Sequence, residues 1–169
     1  MRLETERLVI TELTIEMAQA IHENSLDEVT RRFVPDEVFE TMEIAREAVA
    51  FLISRYDSPE GPWVYVVSRK TDGHCIGYVQ MVRLEDKSWE IGYQIGKQFR
   101  GSGFAAEAVR AFLPVMSERL GISEILGICL RENTSSCRVL EKCGFEIRYI
   151  GPGQYQGSQR EIVRSIWKA

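Results

Sequence analysis

Arg100-Gly-Ser-Gly-Phe-Ala-Ala-Glu107 is the segment of this chain whose residue types and spacing best suit chemistry. Glycines let a backbone approach a phosphate closely. A helix that starts just after them presents unpaired amides carrying a partial positive charge. Such a turn can hold an anion without specifying which. Gly101-Ser-Gly-Phe-Ala-Ala106 meets the loose G-x-G-x-x-A spelling of a dinucleotide fingerprint, with acidic Glu124 near the usual offset. That fold requires further strand–helix–strand units after the turn. Here one more helix and three strands follow, and antiparallel strands precede it. A Walker-type phosphate loop needs Gly-Lys-Ser/Thr, which the chain lacks. A turn with no ligand at all is the remaining reading, because glycine is common in turns.

No other side chains form an equally clear constellation. Cys75, Cys129, Cys137 and Cys143 show no paired ligand spacing, and His22 and His74 lie far from three of them. They read as buried reduced thiols, and neither a metal site nor a disulfide framework is expected. Cys137 is read as a packed helix residue, since nothing near it in sequence supplies the base that a nucleophile needs.

The glycine turn needs a strand before it and a helix after it, and the sequence pattern predicts both. Trp89-Glu-Ile-Gly-Tyr-Gln-Ile95 reads as the last strand of a meander. Its earlier members are Trp63–Ser68 and Cys75–Val82, joined by a turn at Asp72-Gly73. A helix is predicted from Phe104 to Leu120 with Ala105, Ala108, Val109, Phe112 and Met116 on one face, kinked or broken early at Pro114. Upstream lie a first strand over 3–13, a helix capped by Thr14 and a long helix after Thr41. The long helix carries Ile44, Ala48, Phe51 and Leu52 at helical spacing. The charged stretch Asn24–Glu40 has no clear periodicity. Downstream, Glu124–Leu130 is apolar enough for a central strand, and a short helix from Asn133 stops at Gly144. Two final strands, Phe145–Ile150 and Glu161–Trp167, are joined by a Gly- and Gln-rich loop.

Length and charge bound the function. At 169 residues the chain suits one mixed α/β domain over 1–169 with a single sizeable core. A net charge of −4 argues against a nucleic-acid partner, which would need clustered Lys and Arg. No run is apolar for the length of a membrane span, and the first residues lack a signal-peptide core. No membrane association is expected, and a cytoplasmic location is.

Gln98-Phe-Arg-Gly-Ser-Gly-Phe-Ala-Ala-Glu-Ala-Val109 resembles motif A of the GNAT superfamily: Arg or Gln, two residues, Gly, one residue, then Gly or Ala. Arg100, Gly103 and Ala105 fill those positions; Gln98, Gly101 and Gly103 fit two residues earlier, but the neighbouring residues favour the first register. Arg131-Glu-Asn-Thr-Ser-Ser-Cys-Arg-Val-Leu-Glu-Lys-Cys-Gly-Phe145 resembles the second signature of the RimJ/RimL-like branch, which acetylates ribosomal-protein N-termini. The opening Leu3–Ile10 and the strand Trp89–Ile95 resemble that branch as well, so the likeness covers nearly the whole chain in order.

The resemblance implies a GNAT fold: a mixed, largely antiparallel sheet that splays between its fourth and fifth strands, flanked by about four helices. It also implies acetyl-CoA as cosubstrate. The pantetheine arm would bond the backbone of Tyr93, Gln94 and Ile95 like an added strand. The pyrophosphate would rest on amides of Arg100, Gly101, Ser102, Gly103, Phe104, Ala105 and Ala106, with Ser102 and the Arg100 side chain adding contacts. Phe104 itself is expected in the core, and Asn133 and Ser136 would touch the cofactor from the following helix. The reaction would be direct attack of an amine on the thioester. A backbone amide near Tyr93 would hold the oxyanion, and Glu90 would take the amine proton directly or through water. Many relatives protonate the leaving thiolate with a Tyr where this chain has Leu140, which leaves Ser136 or a water as donor.

Three readings of the acceptor stay open: a protein N-terminal α-amine, a small-molecule amine such as an antibiotic, polyamine or amino acid, and no acceptor at all in a non-catalytic acyl-CoA sensor. Asp27, Glu28, Asp36, Glu37 and Glu40 flank the region that would roof the acceptor site, where they would attract a cation or simply face solvent. Homodimers are common in the family, and the terminal strand ending in Trp167 is a candidate exchanged edge.

Overall fold

The computed structural model describes residues 1–169. β1 (Arg2–Glu4) and β2 (Leu8–Glu12) split the expected first strand into an antiparallel pair. A short 3₁₀ turn leads into α1 (Ala18–Ser25), then α2 (Glu28–Phe33) and α3 (Met42–Ser54). The meander is β3 (Trp63–Arg69), β4 (Cys75–Arg83) and β5 (Trp89–Ile95). After it come α4 (Phe104–Leu120), β6 (Glu124–Leu130), α5 (Thr134–Lys142), β7 (Glu146–Tyr155) and β8 (Ser158–Lys168).

All eight strands join one sheet in the order β1-β2-β3-β4-β5-β6-β8-β7. Every neighbouring pair is antiparallel except β5 and β6, which run parallel and meet at a single register pair, Glu90 with Leu126. By contrast β4–β5 and β6–β8 each match seven residues. The sheet therefore opens into a wedge beyond Glu90. This is the expected splay, displaced to the fifth and sixth strands because β1 and β2 count separately.

Two cores explain the burial pattern. α4 lays Phe104, Ala108, Val109, Phe112 and Met116 on one face of the sheet, against Leu8, Tyr65 and Met81 among others. α1 and α3 cover the opposite face through Ala18, Ile21 and Val49, which pack on Val64, Val66 and Tyr78. With helices on both sides, Trp63–Val67 is buried at every position, so that strand reads as a continuous apolar run.

Several expectations change. α4 runs unbroken through Pro114 to a left-handed C-terminal glycine, Gly121. Packing on both sides of the proline holds the helix, since Leu113 and Met116 are buried. α3 buries Ala45 and Val49 and leaves Ile44 and Phe51 exposed. Its apolar stripe is broad enough that spacing alone does not fix its centre. A fifth helix, α2, fills the uncalled charged stretch, because the Asp27 side chain accepts from the amides of Val29 and Thr30 as an N-cap.

The Gly- and Gln-rich loop is instead the far half of a β7–β8 ribbon, turned by Gln156 and Gly157, both at positive φ. Pro152 is tolerated there because β7 is the sheet edge. Trp167, on β8, lies inside the sheet between β6 and β7, so it is not the exchanged edge that its terminal position suggested.

Gly77 of β4 fixes how close β5 lies to its partner. A Cβ at that position would sit 2.0 Å from the Gln94 carbonyl oxygen. Since that atom is backbone, the strands must move apart. Gly77→Ala is expected to lower stability by about 2 kcal/mol or more, as overpacking does, and to shift amide resonances of Gln94 and Ile95. A denaturant melt and a ¹⁵N correlation spectrum check both effects.

Candidate active site

The strand–turn–helix unit that the glycines were expected to form is present. Gly101 and Gly103 both lie in the left-handed region, at φ of 80° and 82°, where a side chain is strained. Backbone amides from Gly101 through Ala106 find no acceptor within the chain, and the first bond across the helix start is from Glu107 to the Gly103 carbonyl. Six unpaired donors thus lie at the positive end of a 17-residue helix. Phe104 is buried in the core as expected.

The arginine beside the turn has a different role from the expected one. Arg100 folds back into the protein. Nη1 and Nη2 pair with the two Asp27 carboxylate oxygens, each at 2.8 Å, while Nε donates to the Ile95 carbonyl at 2.7 Å and Nη2 to Thr30 at 3.2 Å. The guanidinium holds the Asp27 carboxyl down at about 2, against the cost of its burial. Arg100 therefore ties the end of β5 to the cap of α2 and has few donors left for a phosphate.

Arg7 is the guanidinium at the turn, and sequence reasoning missed it. Its Nη1 donates to the Ser102 carbonyl at 2.9 Å and its plane lies 4.5 Å over the Phe104 ring. Glu107 gathers Thr5 Oγ1 at 2.5 Å, the Arg7 amide at 3.0 Å and Arg7 Nε at 2.7 Å, clamping the helix start to the β1–β2 turn. No local pattern signals a contact between residues 100 positions apart.

At the wedge, the amide of Gly96 bonds the Ile76 carbonyl of β4. Strand alternation then points the main-chain groups of Tyr93 and Ile95 away from β4, into the opening, and turns those of Gln94 toward β4. Gln94 is buried, and its side chain donates to the Asn24 carbonyl at 2.9 Å and to Thr30 at 3.1 Å. Of the three residues expected to offer backbone to the opening, Tyr93 faces it, Ile95 faces it with its amide alone because Arg100 Nε takes its carbonyl, and Gln94 is turned away.

A cavity of about 560 Å³ occupies the wedge. Glu90, Tyr93 and Ser136 all line it, although Glu90 and Tyr93 project from opposite faces of β5. Both faces are reachable because the gap lies in the plane of the sheet. The Tyr93 hydroxyl is 2.8 Å from Ser136 Oγ and 3.1 Å from the Ser136 carbonyl oxygen. Burial raises the Tyr93 hydroxyl well above its ordinary value, so it stays protonated. Asn133 caps α5 by accepting the Ser136 amide at 3.2 Å, which fixes Ser136 at the cavity wall. The Tyr93 side chain was not foreseen, since its strand suggested only a backbone role.

Glu90 is pushed up to about 7, first by burial and then by the neighbouring Glu37 carboxylate, with Arg164 acting in the opposite sense. Of the acidic residues flanking the roof, Glu37 alone lines the cavity, held by the Tyr78 hydroxyl and by Gln80 Nε2 at 2.8 Å. Gly92 makes room for that Gln80, whose Nε2 would lie 2.6 Å from a Cβ there. Asp27 is spent on Arg100, and Glu40 pairs with Arg31. Cys137 Sγ lies 3.3 Å from Cys129 Sγ, and burial raises the Cys129 thiol to about 12, so the Cys129 sulfur is not primed as a nucleophile.

The geometry matches known proteins. The sequence profile of the acetyltransferase (GNAT) domain covers residues 7–146, and the chain belongs to that family. It is an acetyl-CoA-dependent N-acyltransferase by that membership. An uncharacterised N-acetyltransferase, YoaA of Bacillus subtilis (strain 168), is 31% identical over 148 residues, 85% of this chain and 82% of its own. An acetyltransferase of the GNAT family from Bacillus anthracis superposes with a TM-score of 0.85 at 22% identity, over 99% of this chain and 98% of that one. RimL, a ribosomal L7/L12 α-N-protein acetyltransferase solved in complex with coenzyme A, superposes with a TM-score of 0.84 at 17% identity, over 99% and 98%.

The Arg100–Asp27 pair generates a test. Because Asp27 is lowered in the folded state, its contribution is present above the ordinary carboxylate value near 3.8 and is lost as pH falls through about 2. At neutral pH, Arg100→Met and Asp27→Asn should each destabilise. The double variant should be milder than the sum of the two, with a coupling of about 1 kcal/mol for a partly exposed pair. Denaturant melts of the four proteins measure it.

Proposed function

We propose that the chain transfers acetyl from acetyl-CoA to a primary amine seated in the cavity beside Glu90. The observation that carries this reading is the convergence of Glu90, Tyr93 and Ser136 on one cavity at the mouth of the wedge. Six free amides at the start of α4, with the outward main-chain groups of Tyr93 and the Ile95 amide, offer complementary seats for a pyrophosphate and a pantetheine amide. In this reading Gly101, Ser102, Gly103, Phe104, Ala105 and Ala106 bind phosphate through main chain. Arg100 positions the strand and turn.

Acetyl-CoA supplies the acetyl group activated as a thioester. The acceptor arrives as an ammonium ion, drawn by the carboxylates in the cavity, and gives its proton to ionised Glu90. Its nitrogen attacks the carbonyl carbon while the Tyr93 amide donates to the developing oxyanion. As the new C–N bond replaces the C–S bond, the nitrogen gives its second proton to cavity water, Ser136 Oγ gives a proton to the departing sulfur and recovers one from the Tyr93 hydroxyl 2.8 Å away, and that hydroxyl is reprotonated from the same water. A Tyr on β5 thus takes the donor role that Leu140 of α5 lacks.

The acceptor reading is a primary amine on a molecule small enough for about 560 Å³, either a free amine or the first residues of a peptide. The fold likeness to RimL supports an N-terminal α-amine. Tyr155 and Gln156, which roof the cavity from the β7–β8 ribbon, favour a compact acceptor instead. A silent acyl-CoA sensor would have no use for a raised carboxyl and a Tyr–Ser pair in one cavity.

Glu90→Gln is expected to lower kcat by about a hundredfold, the typical scale of a general base, with acetyl-CoA affinity unchanged. In the parent protein kcat/KM should rise with pH through about 7, as Glu90 ionises, and the variant should lose that limb. The same raised value means that folding stability falls as pH rises through about 7. Glu90→Gln should therefore be the more stable protein at pH 8. A thiol-release assay and a melt against pH measure both; equal turnover would remove Glu90 from the mechanism.

Gly103→Asp and Gly103→Asn form a matched pair, since both side chains tolerate the left-handed region. The first should weaken acetyl-CoA binding by about tenfold more than the second, because only it sets a negative charge against phosphate. Calorimetric titration with acetyl-CoA reads the difference.

A further inference from the structure

Arg164 on β8 lines the same cavity as Glu90, from the opposite wall. It stands directly across the ladder from Ile128 of β6 and from Tyr149 of β7, which fixes its side chain on the face that looks into the wedge. Its Nε is buried and bonded to nothing in the chain, and the guanidinium forms no ion pair. Glu90 and Asp86 feel its charge, and no carboxylate pairs with it directly. Glu37 accepts from Tyr78 and Gln80, Asp86 accepts the amide and hydroxyl of Ser88, and Glu85 is exposed. Gln156 Oε1, in the roof of the same cavity, is the other buried polar atom without a partner.

A half-buried guanidinium whose Nε is shut off from water and unpaired is costly unless a ligand completes it, and its planar fork matches a carboxylate. The opposite wall is acidic and suits an ammonium group. One small molecule satisfies both walls when it carries a cation and an anion close together. A doubly charged phosphate fits less well, because Glu37, Glu85, Asp86 and Glu90 share the space and would repel it.

We infer that the acceptor carries a carboxylate close to its amine, and that Arg164 anchors this carboxylate while Glu90 takes the amine proton, so that the cavity selects amino-acid-like zwitterions. The inference rests on the transfer activity proposed above and adds the substrate class. Gln156 Oε1 would accept a second N–H of the incoming ammonium group or of a polar side chain.

The test compares common L-amino acids with their carboxamides, by thiol release with acetyl-CoA and by calorimetric binding in the presence of coenzyme A. Glutamyl and aspartyl carboxamides form a further arm that separates an α-carboxylate from one on the side chain. The expected result is that at least one amino acid is preferred over its carboxamide by about tenfold or more in kcat/KM, as for loss of a charge-assisted bidentate contact. Arg164→Gln should collapse that ratio toward one, and Arg164→Lys should restore part of it. Because both acceptors use the same base, the ratio is insensitive to any change in Glu90. A preference retained by the glutamyl or aspartyl carboxamide supports the same anchor and places the carboxylate on the side chain. Carboxylate-dependent binding with no thiol release would uphold the anchor and overturn the transfer activity. Turnover of acids and carboxamides alike, or an unchanged ratio in Arg164→Gln, would overturn the inference and leave the activity standing. Binding of neither class would overturn it as well.

Discussion

The single pairing between Glu90 and Leu126 is the constraint on which the rest of the site depends. Two parallel strands that stayed in register would close the sheet with hydrogen bonds and leave no cavity. Because β5 and β6 part after one pair, main-chain groups of Tyr93 and Ile95 are left facing a gap, and side chains from both faces of β5 reach the same space. The rigid packing on either side keeps the gap open. Gly77 brings β4 within touching distance of β5, Arg100 takes up the Ile95 carbonyl, and α4 and α3 cover the two faces.

That geometry also explains the electrostatics. A carboxyl at the apex of the wedge is removed from bulk water yet open to the cavity. Burial and the nearby Glu37 therefore raise it to about 7 rather than trapping it in a structural ion pair. The opposite treatment of Asp27, lowered to about 2 by a bidentate guanidinium, shows the same chain using a carboxylate as a structural tie some residues away. Environment separates their roles, since the two groups are chemically alike.

Much of this was legible in the sequence, with clear limits. The meander, α4 and the glycine turn follow from local periodicity and turn chemistry. Glu90 and Ser136 followed from the order of four family-like segments, and the structure brings them to one cavity. What was not legible depends on contacts between distant residues. Arg100 looked available to a phosphate because nothing nearby reveals Asp27, 73 positions away. Arg7 and Glu107 meet across 100 residues. The β7–β8 ribbon reads as a loop because Gly151, Pro152 and Gly153 suit a turn, until the edge position of β7 shows that the proline needs no partner. Tyr93 was seen as backbone alone, since strand alternation sets it opposite Glu90 and only the splay reunites them.

The central claim is that the β5–β6 wedge is where the thioester meets the amine. A crystal structure with coenzyme A or a non-reactive acetyl-CoA analogue tests it most directly. The pantetheine arm should lie along β5, bonded to the main chain of Tyr93 or the Ile95 amide, with the pyrophosphate on the amides of Gly101–Ala106 and the sulfur within hydrogen-bond reach of Ser136 Oγ. A ligand seated elsewhere, or in the wedge with its sulfur remote from both Ser136 and the Glu90 cavity, would contradict it.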